Sequence, residues 1–445
     1  MIHLFEESSE FLEKFGLPSK YALLGIGFAL AAIAYGYFDL ESSRVYEFMV
    51  NTAPIWAPII TFFLFFEKWL EYVRLKFNVK RPRVTLEIKL PQEVLKSPEA
   101  MELVLNQLHQ GATPDNHIET YVDGKHPPKF GLEIVSRGGD VRFYINVQKP
   151  KFKNITETQL YAQYPGIEVH ELDIDYTAEI PWDPERFKYF SIHFGHKKPT
   201  GFPIKTYVDY ELQEMPKEEE KIDPITSMLE MLGSIGPGEY VWVQMLIEAN
   251  RKVTFKEGAL VEKPDWTKEG RAQVEGVIKD AAKRVGVQED EIGRNVNQFL
   301  TDEEKETIRA MERGLSKNAF NTAIRCMYIA ESDAYNPGER IGAIITGWRS
   351  YDYIGRNAIG VRWRTDFDWN WWQDPSGHER EHLKHNELEE YKKRTYTNYS
   401  HADLPTPFSV EELATMYHFP GTVASTPSLA RLPSKRSEAP SNLPT

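Results

Sequence analysis

The sequence has 445 residues, of which 41% are hydrophobic and 27% are charged, and its formal net charge is −13. This composition is typical of folded chains and excludes wholesale disorder, while the negative mean hydropathy excludes a polytopic transporter. The acidic balance argues against nucleic acid as a direct partner. A single cysteine, Cys326, excludes an intramolecular disulfide, and its apolar surroundings predict a buried strand residue.

Two uncharged segments near the N-terminus, 21–38 and 48–66, predict a transmembrane hairpin over residues 21–66. Each is close to the roughly 20 residues that a helix needs to span the hydrocarbon core of a bilayer. A cleaved signal peptide and a buried core hairpin are the alternatives. The acidic segment 1–20 argues against a signal peptide, and we expect it to be a cytoplasmic N-terminal segment.

A basic cluster after the second segment predicts the orientation of this hairpin. The connection 39–47 holds only one cation, Arg44, so the positive-inside rule places both termini and most of the chain on the cytoplasmic side of a bacterial inner membrane. The same cations are candidates for contact with anionic lipid headgroups. The cluster consists of Lys68, Arg74, Lys76, Lys80, Arg81 and Arg83.

The region after the hairpin predicts an α+β fold. Apolar periodicity in 83–175 predicts the order β-α-β-β-α-β, which is the ferredoxin-like or split βαβ pattern. Residues 176–365 predict a second α+β unit with a helical insertion at 266–314. The predicted fold class is therefore two N-terminal transmembrane helices followed by tandem ferredoxin-like sandwich units.

The C-terminal region predicts loops and short helices over 366–421 and a disordered linker over 422–445. The linker is rich in Pro, Ser and Ala and lacks apolar periodicity. Before it, Ser409 and Glu412 have the spacing of a capping box, which predicts the first turn of a helix.

One motif in this region bears on catalysis. The segment from His378 to His382 matches H-E-x-x-H, in which two histidines on one helix face bind zinc and Glu379 acts as general base. The surrounding charged residues lack an apolar face that would bury such a helix. We therefore favour a solvated histidine-rich helix, with adventitious metal binding through His378, His382 and His385 as the other option. No catalytic residue, metal or cofactor is assigned.

Three tryptophans, Trp369, Trp371 and Trp372, lie close together in the same region. They predict either a loop that folds its indoles back onto the domain or a contact with a protein partner. The neighbouring aspartates Asp366, Asp368 and Asp374 argue against stacking on nucleic-acid bases.

Several segments together resemble the region that precedes the motor in membrane-anchored bacterial ATPases of the HerA and type IV secretion or conjugation class. The resemblance covers roughly residues 80 to 445. The sequence ends at Thr445 without a Walker A loop, so no nucleotide-binding residue is carried over and ATPase activity is not expected. The resembling segments are 132–145, 158–173, 228–249, 315–331 and 408–444.

These observations lead to a membrane-anchored, non-catalytic scaffold of a translocation system. Its expected partners are the lipid bilayer, other copies of the chain in the hexameric setting that the resemblance implies, and a motor ATPase. The alternative is a membrane-tethered zinc hydrolase that uses the H-E-x-x-H motif. A third hypothesis is a lipid-surface or nucleic-acid binder that uses the basic cluster at 68–83.

Overall fold

A computed structural model gives the architecture of the chain. It describes residues 42–91, 96–110, 114–213, 223–259, 262–285, 300–365, 374–396 and 405–421. These fall into two compact units. The helix unit contains the described residues of Met1–Lys80 and Asp115–Lys125, and the sheet unit contains those of Arg81–Pro114, His126–Thr397 and Leu404–Thr445.

The helices and strands of the described residues are as follows. The helices are α1 Ser42–Val79, α2 Glu99–Leu108, α3 His117–Tyr121, α4 Lys151–Gln163, α5 Pro224–Gly233, α6 Trp266–Val285, α7 Asp302–Leu315, α8 Pro337–Gly347, α9 His378–Lys393 and α10 Val410–Met416. The strands are β1 Arg83–Lys89, β2 Lys129–Arg137, β3 Asp140–Gln148, β4 Glu168–Glu171, β5 Phe187–His196, β6 Glu239–Ala249, β7 Ala319–Glu331, β8 Ile359–Arg364 and β9 Thr406–Ser409.

The helix unit consists of the long helix α1 and the short segment around α3. The indole Nε1–H of Trp69 donates to the main-chain carbonyl of Tyr121 at 2.7 Å, and the rings of Phe66 and Tyr121 lie 5.7 Å apart. Gly124 has a φ of +73°, and a Cβ at this position would lie 2.2 Å from the carbonyl oxygen of Val73. Only glycine permits this approach of the two backbones.

The predicted transmembrane hairpin is wrong. Its second segment, 48–66, lies within α1, which continues through charged positions to Val79. Within the ranges described above, no helix is both long enough and apolar enough to cross a membrane. An uncharged segment is a poor measure of hydrophobicity. In 48–66, the uncharged polar residue Asn51 and the prolines Pro54 and Pro58 lower the mean hydropathy.

The first segment, 21–38, and the N-terminal segment 1–20 lie outside the described residues. The predicted anchoring in a bacterial inner membrane depended on this hairpin and is corrected with it.

The sheet unit is built on one antiparallel sheet that contains the nine strands named above. Its order is β4-β1-β3-β2-β6-β7-β5-β8, and β9 pairs with one end of β7. Strands β1–β4 alternate with α2 and α4 in the order β-α-β-β-α-β, and strands β5–β8 repeat that order with α5 and α8. The outer-to-inner order β4-β1-β3-β2 is repeated as β8-β5-β7-β6, so the unit contains two split βαβ halves.

The two halves are joined by β2 and β6, which pair without interruption from Lys129 opposite Glu248 to Arg137 opposite Tyr240. The sequence predicted tandem ferredoxin-like sandwich units, whereas the structure joins the strands of both halves in one antiparallel sheet. Local periodicity identifies a strand but does not say which distant strand it will pair with. Here each half uses its inner edge strand to extend the sheet of the other, which removes two exposed edges.

One face of the sheet carries the main apolar core. A row of side chains runs across four central strands and points towards the helices, and all four are about 1% exposed: Ile134, Val243, Cys326 and Ile192. Helices α2, α4, α5, α8 and α10 cover this row. Cys326 is therefore the buried strand residue that the sequence predicted. Full burial of an aliphatic side chain stabilises the fold by about 1.5–3 kcal/mol.

Helix α10 begins at the predicted capping box. The main-chain N–H of Glu412 donates to Ser409 Oγ at 3.3 Å, and the main-chain N–H of Ser409 donates to the Glu412 carboxylate at 2.8 Å. The predicted insertion at 266–314 contains α6 and α7.

We predict that the two halves unfold together because they share a sheet. Ile134→Ala in β2 removes apolar contacts at the seam with β6 and should lower the free energy of unfolding by about 2–5 kcal/mol, against about 0.5–1.5 kcal/mol for Ile134→Val. Urea unfolding followed by tryptophan fluorescence should show one shifted transition. The control Ile354→Ala, at a fully exposed position, should change the stability by less than about 0.5 kcal/mol. Two transitions, of which only one shifts, would contradict the shared core.

Candidate functional site

The opposite face of the sheet carries a row of buried polar side chains. Glu133, Gln244, Arg325 and His193 lie at paired positions on β2, β6, β7 and β5 and are at most 1% exposed. Directly opposed residues of paired strands point to the same face, so these side chains form one continuous row. Polar residues this deep must find hydrogen-bonding partners. Most of those partners come from α9 and from residues next to it.

Glu133 is the centre of this row. Its Oε1 accepts hydrogen bonds from Gln244 Nε2 at 2.8 Å and from Arg394 Nε at 3.0 Å. Its Oε2 accepts from the hydroxyl of Tyr176 at 2.7 Å and from Arg394 Nη2 at 3.1 Å. The bidentate arginine and the two neutral donors compensate a carboxylate that is completely removed from water.

Arg394 connects this carboxylate to the end of α9. It caps the helix in a left-handed conformation with a φ of 51°. Its Nη2 also lies 2.8 Å from a carboxylate oxygen of Asp175. Burial alone would lower the pKa of Arg394, but Glu133 and Asp175 raise it well above its usual value, so the guanidinium remains charged.

Asp175 is held by the same contacts. Burial disfavours its charged form, but the charge of Arg394 and hydrogen bonds from Thr85 and Thr177 outweigh that effect and lower the pKa of Asp175. The hydroxyl of Thr85 donates to Asp175 at 2.5 Å. Asp175 also caps the short 3₁₀ helix Tyr176–Glu179, since it accepts from the main-chain N–H of Thr177 at 3.0 Å.

Arg325 extends the row towards the second half. Its Nη2 donates to Gln244 Oε1 at 2.5 Å. Its guanidinium carbon lies 5.3 Å from the ring centre of Tyr391 and 5.8 Å from that of Tyr396. Stacking of a desolvated guanidinium on aromatic rings is favourable by about 2 kcal/mol. Tyr391 lies on α9, so this contact also fixes that helix.

The row ends in a buried cluster around Glu387 of α9. Its Oε2 accepts from Ser191 Oγ at 2.8 Å and lies 2.7 Å from His193 Nε2. The other ring nitrogen of His193 is 2.8 Å from the hydroxyl of Tyr396. A serine nucleophile requires its hydroxyl to donate to the histidine base, whereas Ser191 donates to the carboxylate. The cluster therefore positions α9 and does not have the geometry of a catalytic triad.

The three predicted metal-site histidines lie on α9 but do not converge. His378 and His382 are exposed, and the ring of His385 lies 4.9 Å from that of Trp182. In the described part of the chain, no group of three or more His, Cys, Asp or Glu residues is arranged to hold a metal ion. The helix also differs from the expected solvated helix, because Leu388 and Tyr391 are buried against the sheet.

The predicted basic cluster is divided between the two units. Lys68, Arg74, Lys76 and Lys80 belong to the helix unit, where Lys68 forms an exposed ion pair with Glu71 at 2.8 Å. Arg81 and Arg83 belong to the sheet unit. Burial and the nearby charge of Arg394 lower the pKa of Arg83 to about 10. The predicted contact residues Trp369, Trp371 and Trp372 lie outside the described residues.

The sequence analysis missed the polar row, although the sequence contains a signal for it. Each strand presents one or two polar residues inside an otherwise apolar run, as with Glu133 in β2, Gln244 in β6 and Arg325 in β7. Such residues are rarely buried without a partner, so four of them in central strands indicate a network.

No known family profile matches this sequence, and no curated protein is significantly similar to it.

We predict that Arg394→Ala destabilises the sheet unit by about 3–5 kcal/mol, because it leaves the Glu133 carboxylate buried without its main partner. Adding Glu133→Gln to Arg394→Ala should restore part of that loss, because the unpaired charge is then absent. Urea unfolding measures both effects.

Arg137→Ala is a suitable control, because Arg137 pairs with Glu179 at 2.7 Å on the exposed edge of the same face. Its expected cost is below about 1 kcal/mol. If Arg137→Ala and Arg394→Ala lower the free energy of unfolding by the same amount, the buried pair has no special role and the prediction is contradicted.

Asp175 should contribute a pH-dependent part of the stability. Its folded-state pKa is below the unfolded value of about 3.9. Between these two pKa values, the Asp175 carboxyl is protonated in the unfolded chain and ionised in the folded chain. The contribution is complete above about pH 4 and is lost as the pH falls through the folded-state pKa. In urea unfolding, wild type and Asp175→Asn should converge in stability below about pH 4. The control is Asp173→Asn, at an exposed neighbouring position. A difference between wild type and Asp175→Asn that does not shrink on acidification would contradict the prediction.

Proposed function

We propose that the sheet unit is a non-catalytic interaction module of a DNA- or protein-translocation ATPase system. The observation that carries the proposal is the buried network around Glu133, which holds α9 across the middle of a sheet shared by two halves. Burying several charged groups is costly, and such groups often serve conformational specificity rather than stability. Here they fix one arrangement of α9 on the sheet.

The resemblance to translocation ATPases supports this proposal because its segments lie on the elements that build the sheet. Two of them, 132–145 and 158–173, cover most of the β2–β3 hairpin and all of β4. The segments 228–249 and 315–331 contain the second half of α5 with β6 and β7. The last, 408–444, includes α10. The described residues of these segments therefore lie on the shared sheet and on helices that cover its apolar face, whereas β1, β5, β8 and α9 lie outside the segments, and residues 422–444 lie outside the described residues.

The chemistry of the network also supports a positioning role. The Glu133 carboxylate accepts four hydrogen bonds from within the chain, and Glu387 is engaged by Ser191 and His193. Because Glu133 is bound on both oxygens by groups of its own chain, it favours one position of α9, and the outer face of that helix forms a defined surface. The exposed part of that surface includes the first turns of α9, where His378 and His382 lie.

The partner we expect on this surface is a motor ATPase or a neighbouring copy of the chain. A photo-crosslinking residue at His382 should therefore capture, in the native cells, a protein with a Walker A loop or a second copy of this chain. The matched control is the same substitution at Lys268, which is exposed on α6. Mass spectrometry of the cross-linked products identifies the partner.

Sedimentation of the purified chain with that partner gives an independent check. The proposal predicts a complex that Arg394→Ala weakens, because the variant loosens α9. If His382 captures neither kind of partner, or captures them no better than Lys268 does, the proposal is contradicted.

A further inference from the structure

A groove opens at one end of the polar row, where β1, the residues after β4 and the end of α9 meet. Its volume is about 470 Å³, and its lining includes Arg83, Lys149, Asp175 and Lys392. This volume is within the range of about 300–1,000 Å³ that is typical of small-molecule sites. Unlike the fully buried Glu133 carboxylate, the groove is accessible from outside.

Positive charge is in excess in this groove, which is lined by five cationic and three acidic side chains. Two of the acids are already engaged by the chain. Glu171 pairs with Lys149 and, at 2.7 Å, with Lys153, and Asp175 pairs with Arg394 at 2.8 Å. Asp173 is the remaining acid and is exposed.

Two of the cations lack a carboxylate partner among the described residues. Arg83 donates to the amide oxygen of Asn146 at 2.6 Å and to the main-chain carbonyl of Lys129 at 3.0 Å, and both acceptors are uncharged. Lys392 forms no ion pair within the described ranges, whereas its neighbour Lys393 pairs with Glu389 at 3.0 Å.

The surroundings of both cations favour an anion. Burial is the main cause that lowers the pKa of Arg83, to about 10, and of Lys392. Each charge is therefore partly removed from water, and the nearby carboxylates of Glu133 and Glu389 form no ion pair with it among the described residues. An anion that enters the groove would offset this cost at both positions.

We propose that the groove binds a phosphate group, with Arg83 and Lys392 as its charged contacts. A phosphate has several strong acceptor oxygens, so a guanidinium and an ammonium can bind it together. The group belongs either to a small phosphorylated molecule or to the headgroup of a lipid, and the chemistry of recognition is the same for both.

The test uses the full chain and two kinds of probe at low ionic strength. Calorimetry measures the binding of inorganic phosphate and glycerol 3-phosphate. Co-sedimentation measures binding to phosphatidylcholine vesicles with and without phosphatidylglycerol. For the probe that binds, Lys392→Gln should lower the affinity about tenfold, which corresponds to the loss of one charge-assisted hydrogen bond. Asp173→Asn should raise the affinity, because it removes a negative charge from the groove. Lys268→Gln on α6 removes the same charge elsewhere and should have no effect.

The possible outcomes distinguish a free phosphorylated ligand from a lipid headgroup, and they distinguish both from failure of the proposal. Binding of the small phosphates that depends on Lys392 assigns the site to a free ligand. Binding only to vesicles with phosphatidylglycerol, again dependent on Lys392, assigns it to a headgroup. The proposal is overturned if no probe binds, or if Lys268→Gln weakens binding as much as Lys392→Gln does. Arg83→Lys, which keeps the charge but loses the planar fork, provides a second variant and should also weaken binding.

Discussion

The buried pair of Glu133 and Arg394 is the interaction on which the position of α9 on the sheet depends. Glu133 lies on β2, at the seam between the two halves, and Arg394 lies at the end of α9, far away in sequence. A carboxylate in this position is tolerated only when its partner is in place, because an unpaired buried charge costs several kcal/mol. The seam itself is held by the uninterrupted pairing of β2 with β6, and the pair holds α9 against it.

The two faces of the sheet show how differently apolar and polar rows specify a structure. The apolar row that includes Ile134 and Val243 supplies non-directional burial, which tolerates substitutions of similar volume. The polar row that includes Gln244 and Arg325 requires particular donors at particular distances. We infer that the apolar face provides most of the stability and that the polar face selects one position for α9.

The sequence was most informative where the signal is local. Alternation and turn residues indicated the strands of 83–175, and the Ser409–Glu412 capping box was confirmed. It failed where the outcome depends on distant pairing, since nothing local shows that β2 pairs with β6. The polar residues of the row are visible inside the apolar strands, but their partners are not, because Glu133 pairs with Arg394, which is 261 residues away. The membrane prediction failed because an uncharged segment was equated with an apolar one.

Hydrogen exchange of the Glu133→Gln variant tests the central claim most directly. The substitution keeps the shape of the side chain and removes the charge that holds Arg394. We predict that the main-chain amides of α9 lose protection by a large factor, while those of β3 and β5 stay protected, because only the docking of the helix depends on that charge. If α9 keeps its wild-type protection, the buried pair does not hold the helix, and the account given for this face of the sheet is wrong.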